Sequence, residues 1–111
     1  MFSNLFQSMR GGADVIDHDA MVEAVKNKSA FIVDVRERNE FMSGHIEGAI
    51  NVPMSAFDAK RVPKGKPVIV YCLSGARSAM AQRMLAQAGY EDVKNYRSGI
   101  GVWRMHGGKL V

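Results

Sequence analysis

The sequence predicts an α/β fold: a mostly parallel sheet with helices on both of its faces. Two runs, residues 68–71 and residues 30–35 up to the charge at Asp34, are continuously apolar rather than alternating, as strands buried on both faces are. Segments with helical spacing stand between the strand candidates, the order that produces βαβ units. Glycines and prolines punctuate the joins, among them Gly44, Pro53, Gly65, Pro67, Gly75 and Gly89.

At 111 residues the chain is expected to form one domain with its own core. It has a single cysteine, so no internal disulfide framework argues for secretion. No secretory leader pattern stands at the N-terminus, and no apolar run is long enough to span a bilayer. The expectation is a cytoplasmic protein without membrane engagement. Residues 1–58 carry five Lys/Arg against nine Asp/Glu, a balance of −4, whereas residues 59–111 carry ten against two, or +8. A basic half suits a small anionic substrate or an acidic protein partner. Nucleic acid is disfavoured, because the chain lacks a Lys/Arg cluster, zinc spacing or an RNA-binding aromatic motif.

Residues 1–12 read as an N-terminal extension and residues 13–111 as the domain. Within the extension, Phe2, Leu5, Phe6 and Met9 recur at amphipathic-helix spacing. Residues 13–16 form a short strand candidate. Asp17 is placed to cap a helix running to Asn27, with Asp19 in its first turn and Met21, Val22 and Val25 as its apolar face. The run at 30–35 is a buried strand with Asp34 near its carboxyl end. In open α/β sheets ligands sit beyond that end, so Asp34 and Cys72 are expected on one rim. A polar turn follows with Arg36, Glu37, Arg38 and Glu40, anchored by Phe41 and Met42. Residues 44–53 turn into a further strand that Pro53 ends, with His45 as a hydrogen-bonded turn residue. A short helix is expected over 54–60. After the strand at 68–71, Met80, Ala81, Met84, Leu85 and Ala88 follow helical spacing up to a stop at Gly89. Residues 93–96 are the last strand candidate. Ser98 is placed to cap a closing helix with Ile100, Val102, Trp103 and Met105, stopped by Gly107 and Gly108. The methionines read as core gap-fillers.

The chemistry concentrates at Cys72-Leu73-Ser74-Gly75-Ala76-Arg77-Ser78. A thiol between a buried strand and a helix N-terminus meets backbone N–H groups that have no other partner. Those donors and the helix dipole stabilise a sulfur anion, which makes Cys72 a candidate nucleophile. Buried cysteines are often inert small hydrophobes, but a packing cysteine does not need a polar glycine turn. Arg77 adds a fixed charge at the helix entrance, or pairs with Asp34 or Glu37.

This pattern resembles the rhodanese family. Asp34-Val35-Arg36, Glu40-Phe41, Gly44-His45-Ile46 and residues 48–53 resemble its first signature. Residues 72–78 resemble its active-site loop, and residues 95–107, with Gly99 and Trp103, its closing segment. The likeness runs from about Asp14 to the C-terminus. It implies a rhodanese-like three-layer fold with a five-stranded, mostly parallel sheet. It also implies a sulfurtransferase that moves a sulfane sulfur from thiosulfate or a persulfide donor, through a Cys72 persulfide, to cyanide in assays or a thiol in the cell. Carried over, Leu73, Ser74, Gly75, Ala76, Arg77 and Ser78 form the cradle, with Arg77 attracting the donor, and Asp34 and Arg36 support the rim. No metal or organic cofactor is implied. The implied partners are a small anionic sulfur donor and a thiol acceptor, which includes a protein thiol.

Four residues separate Cys72 from Arg77, whereas cysteine-dependent phosphatases place five residues in that interval. The smaller ring favours sulfur over phosphate or arsenate. Leu73 stands where the family often carries a basic residue, which suits a persulfide better than thiosulfate. Ser98 replaces one glycine of the usual pair, and Lys109 stands where proline is common. A non-catalytic binding module of the same fold and a phosphatase or arsenate reductase are the alternative functions.

Overall fold

The computed structural model describes residues 14–111. The expected helix spanning Phe2 to Met9, and Ala13 of the first strand candidate, lie outside the described residues. In chain order the elements are α1 (His18–Asn27), β1 (Phe31–Asp34), α2 (Arg38–Met42), β2 (Ile50–Asn51), two 3₁₀ turns (Met54–Ala56 and Ala59–Arg61), β3 (Val68–Tyr71), α3 (Ala76–Gln87), β4 (Val93–Asn95) and α4 (Gly99–Met105).

The four strands are all parallel and lie in the order β2-β1-β3-β4. Phe31 pairs with Val68 and Asp34 with Tyr71, so β1 and β3 end level and their carboxyl ends form one rim. Successive side chains along a strand point to opposite faces, and this alternation divides the core in two. Val68, Val70 and Cys72 project toward the layer that holds Ala81 and Leu85 of α3. Ile69 and Tyr71 project the other way, onto Met21 and Ala24 of α1 and Ile100 and Trp103 of α4. The result is three layers, with both strand faces dry, which explains why β1 and β3 read as unbroken apolar runs.

Four expectations need correction. The sheet among the described residues has four strands, not five. Val15 makes a single parallel bridge to Asn95, flanked by the bonds Asn95 N–H to Asp14 O and Ile16 N–H to Asn95 O. The strand cannot extend, because Asp17 already caps α1 by accepting the Ala20 N–H at 2.8 Å. The helix expected over 54–60 is instead two separate 3₁₀ turns. Ser98 occupies the N-cap position of α4 but makes no capping bond, since its backbone is already helical.

The fourth correction concerns apolar faces. Met42, Met80, Met84 and Met105 are exposed, as is Val22; Met21 is the methionine fully in the core. The buried stripe of α3 is Ser78, Ala81, Gln82 and Leu85. Two of its four positions are polar because neighbouring backbone needs their hydrogen bonds. Gln82 donates to the carbonyls of Asp14 and Val93, and Ser78 serves the cysteine loop. Phe41 is half-buried and stacks on His45 with ring centroids 3.7 Å apart.

Candidate active site

The loop that follows β3 is built by its backbone. The strand ends at Tyr71, Cys72 points its sulfur inward, and Gly75 turns the chain into α3 at a φ of +107°. That conformation is left-handed, where a side chain would be strained. The turn brings the Gly75 N–H to 3.1 Å from Cys72 Sγ, with Ser78 Oγ 3.4 Å from the same sulfur. The Ser78 hydroxyl also lies 3.1 Å from the Gly75 carbonyl, so it can donate to either the carbonyl or the sulfur.

These contacts set the acidity of the thiol. Burial pushes the Cys72 thiol up, since a charge in the interior is poorly solvated. The Ser78 hydroxyl and the N–H groups of Ser78, Gly75 and Ser74 pull it down by more, and the net shift is below the ordinary thiol value. The sulfur also lies at the N-terminal end of the 12-residue α3, where the helix dipole favours negative charge.

The rest of the loop is clamped from β4 and α4. Ile100 N–H donates to the Cys72 carbonyl at 3.0 Å, and Asn95 Nδ2 to the Gly75 carbonyl at 3.4 Å. Gly99 lies so close beneath the loop that a Cβ there would fall 2.1 Å from the Leu73 carbonyl oxygen. Leu73 and Ser74 form the outer lip, with Leu73 51% exposed.

Arg77 does not pair with Asp34 or Glu37. Its guanidinium grips Glu40 of α2 with both nitrogens, at 2.7 and 3.2 Å, and ties the start of α3 to α2. The Arg77 hydrogen bond holds the Glu40 carboxyl down to about 2, against the opposing effect of burial. Asp34 and Arg36 stand at the expected end of β1, but they face each other. Asp34 accepts from the Arg36 backbone and from Nε and Nη2, and Arg36 Nη2 also donates to the Gly44 carbonyl at 2.8 Å. Burial, the largest single influence, disfavours the Arg36 charge, yet the hydrogen bonds and charge interactions with Asp34 and Tyr71 together outweigh it and raise the pKa. Burial, with the charge of Asp34 next, pushes the Tyr71 phenol up. The Tyr71 oxygen accepts the Ile46 N–H at 3.1 Å. This buried cluster braces the rim, and none of its bonds reaches the cysteine loop.

His45 donates from Nδ1 to the Phe41 carbonyl at 3.0 Å and is a turn residue. Among the described residues, no three His, Cys, Asp or Glu side chains gather into a group that could hold a metal. No helix among them is long and apolar enough to cross a membrane.

Sequence reasoning missed Asn95 and Arg97, which lie with Gly99 in the segment laid against the loop. A Cβ at Gly75 would meet Arg97 Cγ and the Arg97 carbonyl oxygen, each at 2.7 Å, so the Arg97 stem crosses the loop glycine. Only the position of both residues in the closing segment hinted at this, since that segment's approach to the loop is tertiary.

A family model described as a rhodanese-like domain matches residues 17–106. The chain is 35% identical over 99 residues to a sulfurtransferase of Allochromatium vinosum, covering 86% of this chain and 92% of that one. It is 30% identical over 93 residues to the thiosulfate sulfurtransferase GlpE of Coxiella burnetii, covering 82% and 87%. In structure it is similar to a rhodanese-related protein from Thermoplasma volcanium, with a TM-score of 0.79, 31% identity, and 88% and 97% of the two chains covered. The match over most of the chain, joined to the parallel three-layer fold and the cysteine loop, leads to one conclusion: this protein belongs to the rhodanese-like domain family.

Proposed function

We propose that the protein is a sulfurtransferase in which Cys72 carries a sulfane sulfur as a persulfide. The observation that supports this most is the position of Cys72 Sγ, which accepts the Gly75 N–H at 3.1 Å and lies beside the Ser78 hydroxyl. A thiolate held by such donors is a nucleophile at neutral pH. It attacks the outer sulfur of the donor, forming a new S–S bond as the donor's own bond to that sulfur breaks. From thiosulfate the leaving group is sulfite, which departs with the bonding electron pair. From a persulfide, R–S–SH, the leaving thiolate takes the proton. Neither route needs an external oxidant.

The product, Cys72–S–S⁻, places its charge one atom further out, toward the amides of residues 73–78. An acceptor thiolate, or cyanide in an assay, then attacks the outer sulfur and returns the electron pair to Cys72. No general base is required, because thiolate is both the starting and the final state. Asp34 and Arg36 act only as the brace beneath the rim. The natural acceptor is a thiol, small or on a protein, and the need for a free thiolate fits a reducing compartment such as the cytoplasm.

The Arg77–Glu40 pair also weighs against phosphatase chemistry. A phosphatase loop needs its arginine turned onto the bound phosphate, whereas both Arg77 nitrogens here are occupied by a carboxylate. Mixing the protein with thiosulfate, without acceptor, should release one sulfite per chain in a single burst. Absence of the burst, together with no sulfur taken from persulfide donors, would refute the proposal. Cys72-dependent turnover of an aryl phosphate would favour the phosphatase reading instead.

A further inference from the structure

We propose that Arg97 selects the sulfur donor, its guanidinium holding an oxyanion, sulfonate or carboxylate, that the donor carries. This deepens the sulfur-transfer reading above and rests on it.

A cation suited to this task must border the loop, be exposed, and be unspent on the protein's own carboxylates. Arg77, the cation the sequence singles out, fails the last condition because Glu40 engages both of its nitrogens. Arg36 fails as well, being buried and bonded to Asp34 and Gly44. Arg97 meets all three. Its stem lies across Gly75, the residue whose N–H touches the cysteine sulfur, so the side chain that carries the guanidinium borders the loop. The residue is exposed, and among the described residues its guanidinium makes no ion pair and no hydrogen bond.

The carboxylates on the α2 side of the loop are engaged elsewhere. Asp34 is taken by Arg36, Glu40 by Arg77, and Glu37 accepts the Ser55 hydroxyl at 2.6 Å. The backbone carries Arg97 into place: Tyr96 N–H bonds to Val70 and Ile100 N–H to Cys72, so residues 96–100 run along the loop. An arginine fork pairs well with sulfonate or carboxylate, and at the mouth of a site it raises encounter with anions. Leu73, on the same lip, offers no charge. Discrimination by charge therefore falls to Arg97.

The test compares donors that share their sulfur chemistry but differ in charge. Glutathione persulfide carries carboxylates, whereas cysteamine persulfide carries none and has an ammonium group. Arg97→Met keeps the stem over Gly75 and removes the charge, and Arg97→Glu reverses it. The second-order rate of sulfur loading on Cys72 is measured for each. With glutathione persulfide or thiosulfate, Arg97→Met should load roughly tenfold more slowly, the scale of one charge-assisted hydrogen bond, and Arg97→Glu more slowly still. With cysteamine persulfide, Arg97→Met should load as the unmodified chain does and Arg97→Glu at least as fast. The unmodified chain's preference for the anionic donor should shrink as salt is added. Equal slowing with both donors, or no slowing with either, overturns the assignment while leaving sulfur transfer intact. A chain that takes sulfur from no donor overturns sulfur transfer and the role of Arg97 together.

Discussion

Arg77 and Glu40 face each other as a two-point ion pair, Nη1 to Oε1 at 2.7 Å and Nη2 to Oε2 at 3.2 Å, although 37 positions separate them in the chain. The pair fastens the first turn of α3 to α2 and occupies the Arg77 guanidinium. Both side chains are about one-third exposed, so solvent screens the attraction. Glu40→Gln should therefore lower stability at neutral pH by less than about 1 kcal/mol. The folded carboxyl titrates at about 2, below its ordinary value of 4.5. Its contribution is thus fully present above 4.5 and is lost as pH falls through about 2. Denaturant melts of the two proteins should differ at pH 7 and converge near pH 2.

Ser78 is the side chain that most favours the thiolate of Cys72. Ser78→Ala removes the hydroxyl 3.4 Å from the sulfur and leaves the Gly75 N–H in place. A lost hydrogen bond to a charged group corresponds to a rise in thiol pKa of about one unit. The pH profile of iodoacetamide alkylation reads this directly: the unmodified chain should reach its plateau below the ordinary thiol range, and the variant about one unit higher. Coincident profiles would remove Ser78 from the account.

Gly99 and Gly101 give a contrast within one helix. At Gly99, φ is +78° and a Cβ would fall 2.1 Å from the Leu73 carbonyl, whereas at Gly101 nothing lies within 4 Å. Gly99→Ala should cost at least about 2 kcal/mol in strain and overpacking, and should slow alkylation of Cys72 by displacing the loop. Gly101→Ala should be neutral to stabilising by about 0.5–1 kcal/mol. Thermal melts of the two variants test the packing of α4 on the loop.

Asp34→Ala leaves Arg36 charged, buried and without its carboxylate, the Gly44 carbonyl remaining, which should destabilise the fold by about 3–5 kcal/mol. Since neither residue bonds to the loop, the alkylation profile of the fraction that stays folded should keep its midpoint. A shift of that midpoint would show that the brace acts on the thiol.

Much of this was legible in the sequence wherever a local signal and its structural cause coincide. The strand at Val68–Tyr71, the glycine turn and α3 place Cys72 at a strand–helix junction whatever else the chain does. Asp17 and Gly89 likewise mark helix ends through local backbone chemistry. Reading failed where tertiary demand overrode polarity. Ser78 and Gln82 are buried because the loop and the edge backbone need their hydrogen bonds, and this turns Met80 and Met84 out to solvent. The partner of Arg77 was missed for a similar reason: Glu37 and Glu40 lie on the same short segment, and only the packing of α2 against α3 decides between them. The role of the 96–100 segment in clamping the loop rests on bonds to Val70 and Cys72 that no local pattern reveals.

The most direct test of the central proposal is the intact mass of the protein after exposure to thiosulfate and, separately, to glutathione persulfide, followed by removal of excess donor. The protein should gain one sulfur atom, located at Cys72, lost again on addition of cyanide and absent in Cys72→Ser. A mass unchanged by both donors, with Cys72 shown by alkylation to be accessible and reduced, would contradict it.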